Sequence, residues 1–145
     1  MGFRYLTPEK LERAKQKHYE SKLRSYKRHL NKQREKKSSY YKIRENLNLI
    51  RMSNRVGSQT NTLRWSKGET KQHILKKLEV CMELKELQHE FITEPIFKNG
   101  TRADILDLNE GTIYEILHTE TEKKFKEKIK NYPKQFRIIK IKSSQ

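Results

Sequence analysis

The chain is poor in the features that build disulfides, membrane spans and secretion signals. Cys81 is the one cysteine among 145 residues, so an internal disulfide or a cysteine metal cluster is excluded. No apolar run approaches the ~20 residues of a membrane-spanning helix. The opening MGFRYLTPEK lacks the apolar middle of a signal peptide and the Ser or Thr of a myristoylation signal. These absences predict a soluble, intracellular protein of the cytoplasm or nucleoid, with no membrane partner.

Acidic residues are scarce in the first part of the chain. Residues 1–60 hold 17 Lys and Arg against 5 Asp and Glu, a net charge of +12, whereas residues 61–145 hold 17 against 13, a net charge of +4. A concentrated basic segment is typical of proteins whose partner is a polyanion. The charge therefore predicts nucleic acid, bound through its phosphates and in a salt-sensitive way.

Glycine and proline are both absent from residue 11 to residue 50, which predicts a long helix beginning near Thr7 and Pro8. A thin apolar stripe follows one face, but residues 31–39 contribute nothing to it, so a bend or frayed turn is expected there. The polar stretch that follows contains Gly57. We therefore assign residues 1–52 as a basic helical arm, 53–63 as a linker and 64–145 as a separate domain.

The arm is expected to contact phosphates without reading the base sequence. Tyrosines lie among its basic residues and either stack on bases or complete the apolar stripe. A protein-binding coiled coil is the alternative, although the charge would repel a parallel copy. The basic residues assigned to nucleic-acid binding are Lys22, Arg24, Lys27, Arg28, Lys32, Arg34, Lys36 and Lys37.

The second part of the chain alternates between helical and strand patterns and predicts an α/β fold with a mixed sheet. Turns are marked by Asn99-Gly100 and by Asn109-Glu110-Gly111, and Pro133 ends the last helix. The expected order is a helix at 66–89, strands at 90–97, 102–108 and 112–118, a helix at 120–132 and a strand at 136–141.

Three acids of this domain suit metal chemistry. Asp104 and Glu115 fall on two strands joined by a short turn, which can bring them side by side, and Glu69 falls at the start of the first helix. Carboxylates among apolar neighbours are costly unless they are paired or bind a cation, and their oxygens suit Mg²⁺ or Mn²⁺. Each acid also has an ordinary explanation, such as a pair with Arg102 or a favourable position at a helix start.

The order of these acids resembles the PD-(D/E)XK, or restriction-endonuclease-like, superfamily. The matching segments are KGETKQH with Glu69, RAD with Asp104 and YEIL with Glu115, and the likeness covers residues 64–142. It implies an αβββαβ core and a Mg²⁺- or Mn²⁺-dependent nuclease, chiefly of DNA and sometimes of RNA. It also implies that Asp104, Glu115 and Glu69 hold the metal, with the Ile116 carbonyl as a further ligand. Many members act as dimers, so a homodimer is an expectation.

One position departs from the family pattern. The family's lysine lies two residues after the strand glutamate, where this chain has Leu117. Some members carry the lysine on a neighbouring element, and Lys77 is assigned that catalytic role here, with Lys98 and Lys71 as other candidates and His73 as a further neighbour. If none reaches the site, the alternative is a non-catalytic nucleic-acid-binding protein, architectural or part of an assembly, that keeps the fold.

Overall fold

A computed structural model describes residues 7–51 and 59–143. The elements follow the predicted order of a long helix, a second helix, three strands, a third helix and a last strand. The first three strands and the two later helices are shorter than predicted, and the last strand is shifted by one residue. Their bounds are α1 Pro8–Leu47, α2 Lys71–Glu86, β1 Phe91–Thr93, β2 Ile105–Asp107, β3 Thr112–Leu117, α3 Glu122–Ile129 and β4 Arg137–Lys142.

The chain divides into two compact units, Met1–Ser38 and Ser39–Gln145, so the boundary falls inside α1 rather than at the predicted linker. Residues 31–39 are helical throughout, so the fraying expected there is not seen. All eight arm residues assigned to nucleic-acid binding are exposed in the first unit. Within the described residues, no helix is both long enough and apolar enough to cross a membrane.

The second unit is built on a four-stranded mixed sheet in the order β1-β2-β3-β4. β1 pairs antiparallel with β2, and β2 antiparallel with β3, as expected for strands joined by short turns. β4 joins β3 in parallel after the crossover through α3. The mixed α/β class and the mixed sheet predicted from the sequence are confirmed.

Each face of the sheet has its own apolar core. Val80, Cys81 and Leu84 of α2 pack with Ile105 and Ile116 on one face. The opposite face packs against the end of α1, against α3 and against the residues that follow α3. This second core includes Ile50, Leu106, Ile113, Tyr132 and Phe136. Because side chains alternate along a strand, Glu115 lies on the same face as Ile113, away from α2.

Part of the predicted linker belongs to the sheet. Residues 52–58 lie outside the described part of the chain, but residue 60 forms a bridge to Ile92 and Asn61 bonds to the Phe91 carbonyl. The Arg64 backbone N–H donates to the Thr93 hydroxyl at 2.9 Å. The segment therefore satisfies the outer edge of β1, which would otherwise be unpaired.

Two predicted boundaries matter for the acids. Glu69 was predicted in the first turn of a helix, but α2 begins at Lys71, because Thr70 has an extended backbone and caps the helix by accepting from the His73 N–H. Asp104 was predicted within a strand, but β2 begins at Ile105. Both acids therefore lie in irregular backbone just outside a regular element.

Candidate active site

Asp104 and Glu115 come together where β2 separates from β3. The last paired residues are Ile105 and Tyr114, so extending the register by one residue places Asp104 opposite Glu115. The Asp104 carboxylate accepts from the Ile116 backbone N–H at 2.8 Å, while the Asp104 N–H donates to Glu115 Oε1 at 3.2 Å. β2 no longer pairs with β3 at this point, so the Asp104 carboxylate accepts the Ile116 N–H that would otherwise lack a partner on β2. Because the Asp104 N–H also donates to Glu115, two hydrogen bonds hold Asp104 against β3.

Glu115 is fully buried and held by two side chains from the α3 segment. The Tyr132 hydroxyl donates to Oε1 at 2.6 Å, and Lys128 Nζ lies 2.6 Å from Oε2. Burial and the neighbouring charge of Asp104 raise the pKa of Glu115, against the opposing effect of Lys128 and Tyr132. Burial would lower the pKa of Lys128, but its ion pair with Glu115 raises it.

Lys128 is the site residue that the sequence analysis missed. It was assigned no role from the sequence, although it follows the buried Phe125 by three residues and so shares its face of α3. That spacing was the available signal. Leu117, at the position of the family's lysine, is buried, and the nearest lysine to Glu115 comes instead from α3.

Lys77, which was assigned the catalytic role, lies on the α2 side of the sheet. Its side chain is 0% exposed, and Nζ donates to the Glu69 oxygens at 2.9 and 3.0 Å and to the Arg64 carbonyl at 3.1 Å. Glu94 lies 3.7 Å from the same nitrogen. Lys77 therefore neutralises Glu69 and Glu94, whereas Lys128 is the lysine that pairs with Glu115.

The two carboxylates around Lys77 have opposite pKa shifts. Burial would raise the pKa of Glu69, but bonds from Glu94, Lys77 and the Ser66 backbone, together with the Lys77 charge, lower it from 4.5 to about 2. Burial and the bond to Glu69 raise the pKa of Glu94. Glu94 is thus the member of this pair that takes up a proton first.

His73 links this acidic group to Asp104. Its Nε2 lies 3.5 Å from Asp104 Oδ1 and 3.9 Å from Glu69 Oε2. The nitrogen is buried and has no hydrogen-bond partner in the described part of the chain. The interaction with Asp104, opposed by burial, raises the pKa of His73 above 6.5.

We expect the His73 ring to titrate above its ordinary pKa of 6.5 and the Asp104→Asn variant to lower that pKa. Because the pKa is raised in the folded state, the associated stability is present below pH 6.5 and is lost as the pH rises through the folded pKa. NMR titration of the histidine ring signals in the unaltered protein and in the Asp104→Asn variant measures both values. An unchanged His73 pKa in Asp104→Asn would show that the two groups do not interact.

The donor chemistry fits a divalent cation, but the set is incomplete in the protein alone. Asp104, Glu115 and Glu69 offer hard oxygen ligands of the kind that Mg²⁺ and Mn²⁺ prefer. However, no group of three or more His, Cys, Asp or Glu side chains in residues 7–51 and 59–143 is arranged to hold a metal ion.

The remaining predicted site residues lie apart from this centre. Lys71 and Lys98 are exposed and form no ion pair with the site acids in the described residues. The structure therefore brings Asp104 and Glu115 into direct contact, places Glu69 next to His73 and Lys77, and supplies Lys128 from α3.

Comparison with known proteins leaves the chain without an assigned family. No family model matches the sequence. No curated protein and no solved structure matches it either.

Proposed function

We propose that this protein is a metal-dependent nuclease that hydrolyses phosphodiester bonds, with DNA as the first substrate to test. The observation that carries the proposal is the meeting of Asp104 and Glu115 at the end of the β2–β3 ladder, with the Lys128 ammonium 2.6 Å from Glu115. Two acids and a lysine from three separate segments converge there. The element order and the resemblance to the PD-(D/E)XK pattern support the same reaction.

In this proposal Asp104 and Glu115 would hold Mg²⁺ or Mn²⁺, whereas Glu69, whose two oxygens both accept from Lys77, serves as the counter-ion of that lysine. A cation held there would supply Lewis-acid chemistry, polarising the phosphodiester and lowering the pKa of a bound water. The chain's own groups complete the centre. Lys128 offers a positive charge where the phosphate gains negative charge in the transition state, and the raised pKa of His73 keeps a proton available beside Asp104.

The arm supplies affinity for the nucleic-acid backbone. Its eight assigned Lys and Arg side chains are exposed along α1, where they are free to contact phosphates. Each phosphate contact releases condensed counterions, so binding should weaken steeply with salt. The arm therefore holds the substrate, while the second unit cuts it.

A non-catalytic nucleic-acid-binding protein is the second candidate, and specific observations favour it. Both oxygens of Glu115 are already satisfied by Tyr132, Lys128 and the Asp104 N–H. The position of the family's lysine holds a buried leucine. A centre of this kind can be structural, because each buried charge has a partner.

Cleavage assays separate the two functions. Plasmid, single-stranded and branched DNA are incubated with the full chain in the presence of Mg²⁺, Mn²⁺ or EDTA, and RNA is tested in parallel. We expect cutting with the metals and none with EDTA, and the dependence of the rate on protein concentration shows whether two copies are needed. An Asp104→Asn preparation controls for contaminating nuclease. Salt-sensitive binding without cutting under any metal would select the non-catalytic binder.

A further inference from the structure

An open pocket lies at the C-terminal end of α2, away from the acids. It has a volume of about 490 Å³ and lies between α2, the last residues of the predicted linker and the start of β1. Its apolar walls come from Leu63, Leu78, Met82 and Phe91. Helix rise of ~1.5 Å per residue places the Lys85 end of the pocket roughly 18 Å along α2 from His73.

A buried carboxylate orients one polar group of this pocket. His89 lines the cavity, and its Nδ1 lies 2.8 Å from Asp107 Oδ2. The Asp107 side chain is 2% exposed, and its other oxygen accepts the backbone N–H groups of Asn109 and Glu110. A carboxylate that accepts all three bonds places a ring hydrogen on Nδ1, and in the neutral imidazole this leaves Nε2 of His89 as an acceptor.

Two further groups of the lining carry opposite charges. Lys85 is exposed at the rim and offers a donor and a positive charge. Glu90 offers a carboxylate, which also accepts from the Asn61 side chain. The side-chain amides of Asn61 and Gln88 also line the pocket. Apolar walls with an aromatic ring, together with both acceptors and donors, match a flat heteroaromatic ring whose edge carries both N–H and carbonyl or ring-nitrogen groups.

We infer that this pocket binds a nucleobase. The ring packs against Phe91 and Met82, its amino or ring N–H donates to His89 Nε2 or Glu90, and Lys85 faces the attached phosphate or a base carbonyl. The inference rests on the proposed function only in taking nucleic acid as the ligand, and it requires no catalysis. In a strand, the bound base must be unpaired, so the preferred substrate would contain a single-stranded region.

Binding in EDTA tests the pocket without any cleavage. A short deoxyadenosine oligonucleotide, an abasic strand of equal length and free adenosine are titrated against the full chain, with fluorescence anisotropy for the strands and methyl NMR for Leu78 and Met82. We expect the base-bearing strand to bind ~5-fold or more tightly than the abasic strand. We also expect the Met82 methyl signal to shift with the oligonucleotide.

Two substitutions on α2 separate the pocket from the tyrosines of the arm. Met82 is 46% exposed, so Met82→Trp fills the pocket without burdening the core, whereas Leu75→Trp places the same ring on α2 outside the lining. Only Met82→Trp should abolish the preference for bases. His89→Phe, which removes the acceptor and keeps the walls, should weaken base binding as well.

The binding results test the base pocket independently of whether the protein cleaves nucleic acid. Equal affinity for both strands, or a preference that Met82→Trp leaves intact, overturns the base pocket even if the protein cuts DNA. A preference lost in Met82→Trp supports the pocket even if no metal promotes cutting. If the Met82 methyl signal shifts with free adenosine but not with the oligonucleotide, the pocket binds a base, and its ligand is a nucleoside rather than a nucleic-acid strand.

Discussion

The Glu115→Gln variant is expected to lose metal-dependent cleavage by on the order of 100-fold or more. Glu115 contributes a negative charge at the point where Asp104 and Lys128 meet. Glutamine keeps the shape and can still accept from Tyr132, but it removes the charge that holds a cation and the counter-ion of Lys128. Initial rates of cleavage with saturating Mg²⁺, compared with the unaltered protein, measure the loss.

A matched control and a binding assay make this result specific. Glu127 lies one residue before Lys128 on α3 and is exposed, so Glu127→Gln removes an equal charge from the same helix and should retain activity. DNA affinity in EDTA should be nearly unchanged in both variants, because the arm supplies the phosphate contacts. Full activity in Glu115→Gln would remove Glu115 from the mechanism and leave the convergence of Asp104, Glu115 and Lys128 as a structural network.

The Lys77→Met variant is expected to lower the free energy of unfolding by roughly 3 kcal/mol, because removing one partner of a buried ion pair leaves the other charge uncompensated. Lys77 is 0% exposed and lies between Glu69 and Glu94. Methionine fills similar space but cannot neutralise the two carboxylates. Equilibrium denaturation monitored by circular dichroism gives the difference.

The pH dependence of this loss identifies its cause. Since the pKa of Glu69 is lowered from 4.5 to about 2, its stabilising contribution is present above pH 4.5 and disappears as the pH falls toward 2. The difference in the free energy of unfolding between Lys77→Met and the unaltered protein should become smaller over the same pH range. Glu69→Gln added to Lys77→Met should restore part of the stability.

Lys76→Met supplies the control for that experiment. Lys76 precedes Lys77 on α2 and pairs with Glu79 at the surface, with 35% and 62% of the two side chains exposed. Such a pair contributes at most about 1 kcal/mol. A loss of that small size in Lys77→Met would contradict the interpretation of Lys77 as a buried counter-ion.

Local patterns were sufficient to predict the elements of the second unit. The alternating apolar residues, the Asn99-Gly100 turn and Pro133 predicted three strands, a helix and a final strand, and the structure has that order. Boundaries were less accurate where a cap or an irregular residue intervened, as at Thr70 and Asp104. Those ends depend on single hydrogen bonds, which propensity and periodicity do not encode.

The neighbours of the acids were harder to predict than the acids themselves. Asp104 and Glu115 are joined by a short turn, so their approach followed from local geometry. Lys128 reaches Glu115 only because α3 crosses back and places β4 beside β3. In the sequence, Lys77 and Lys128 look alike, because each is one lysine in a helix rich in Lys and Glu. Only the packing of the two helices determines which carboxylate each lysine contacts.

The sequence by itself determined the basic arm, the mixed α/β class and the pair of acids on neighbouring strands, because charge density, periodicity and short turns are local properties. The tertiary structure alone decided which lysine serves which carboxylate, how His73 lies against Asp104, and where an apolar pocket opens beside His89 and Asp107. Those contacts join residues 8 to 31 positions apart, and their geometry depends on how the helices pack on the two faces of the sheet.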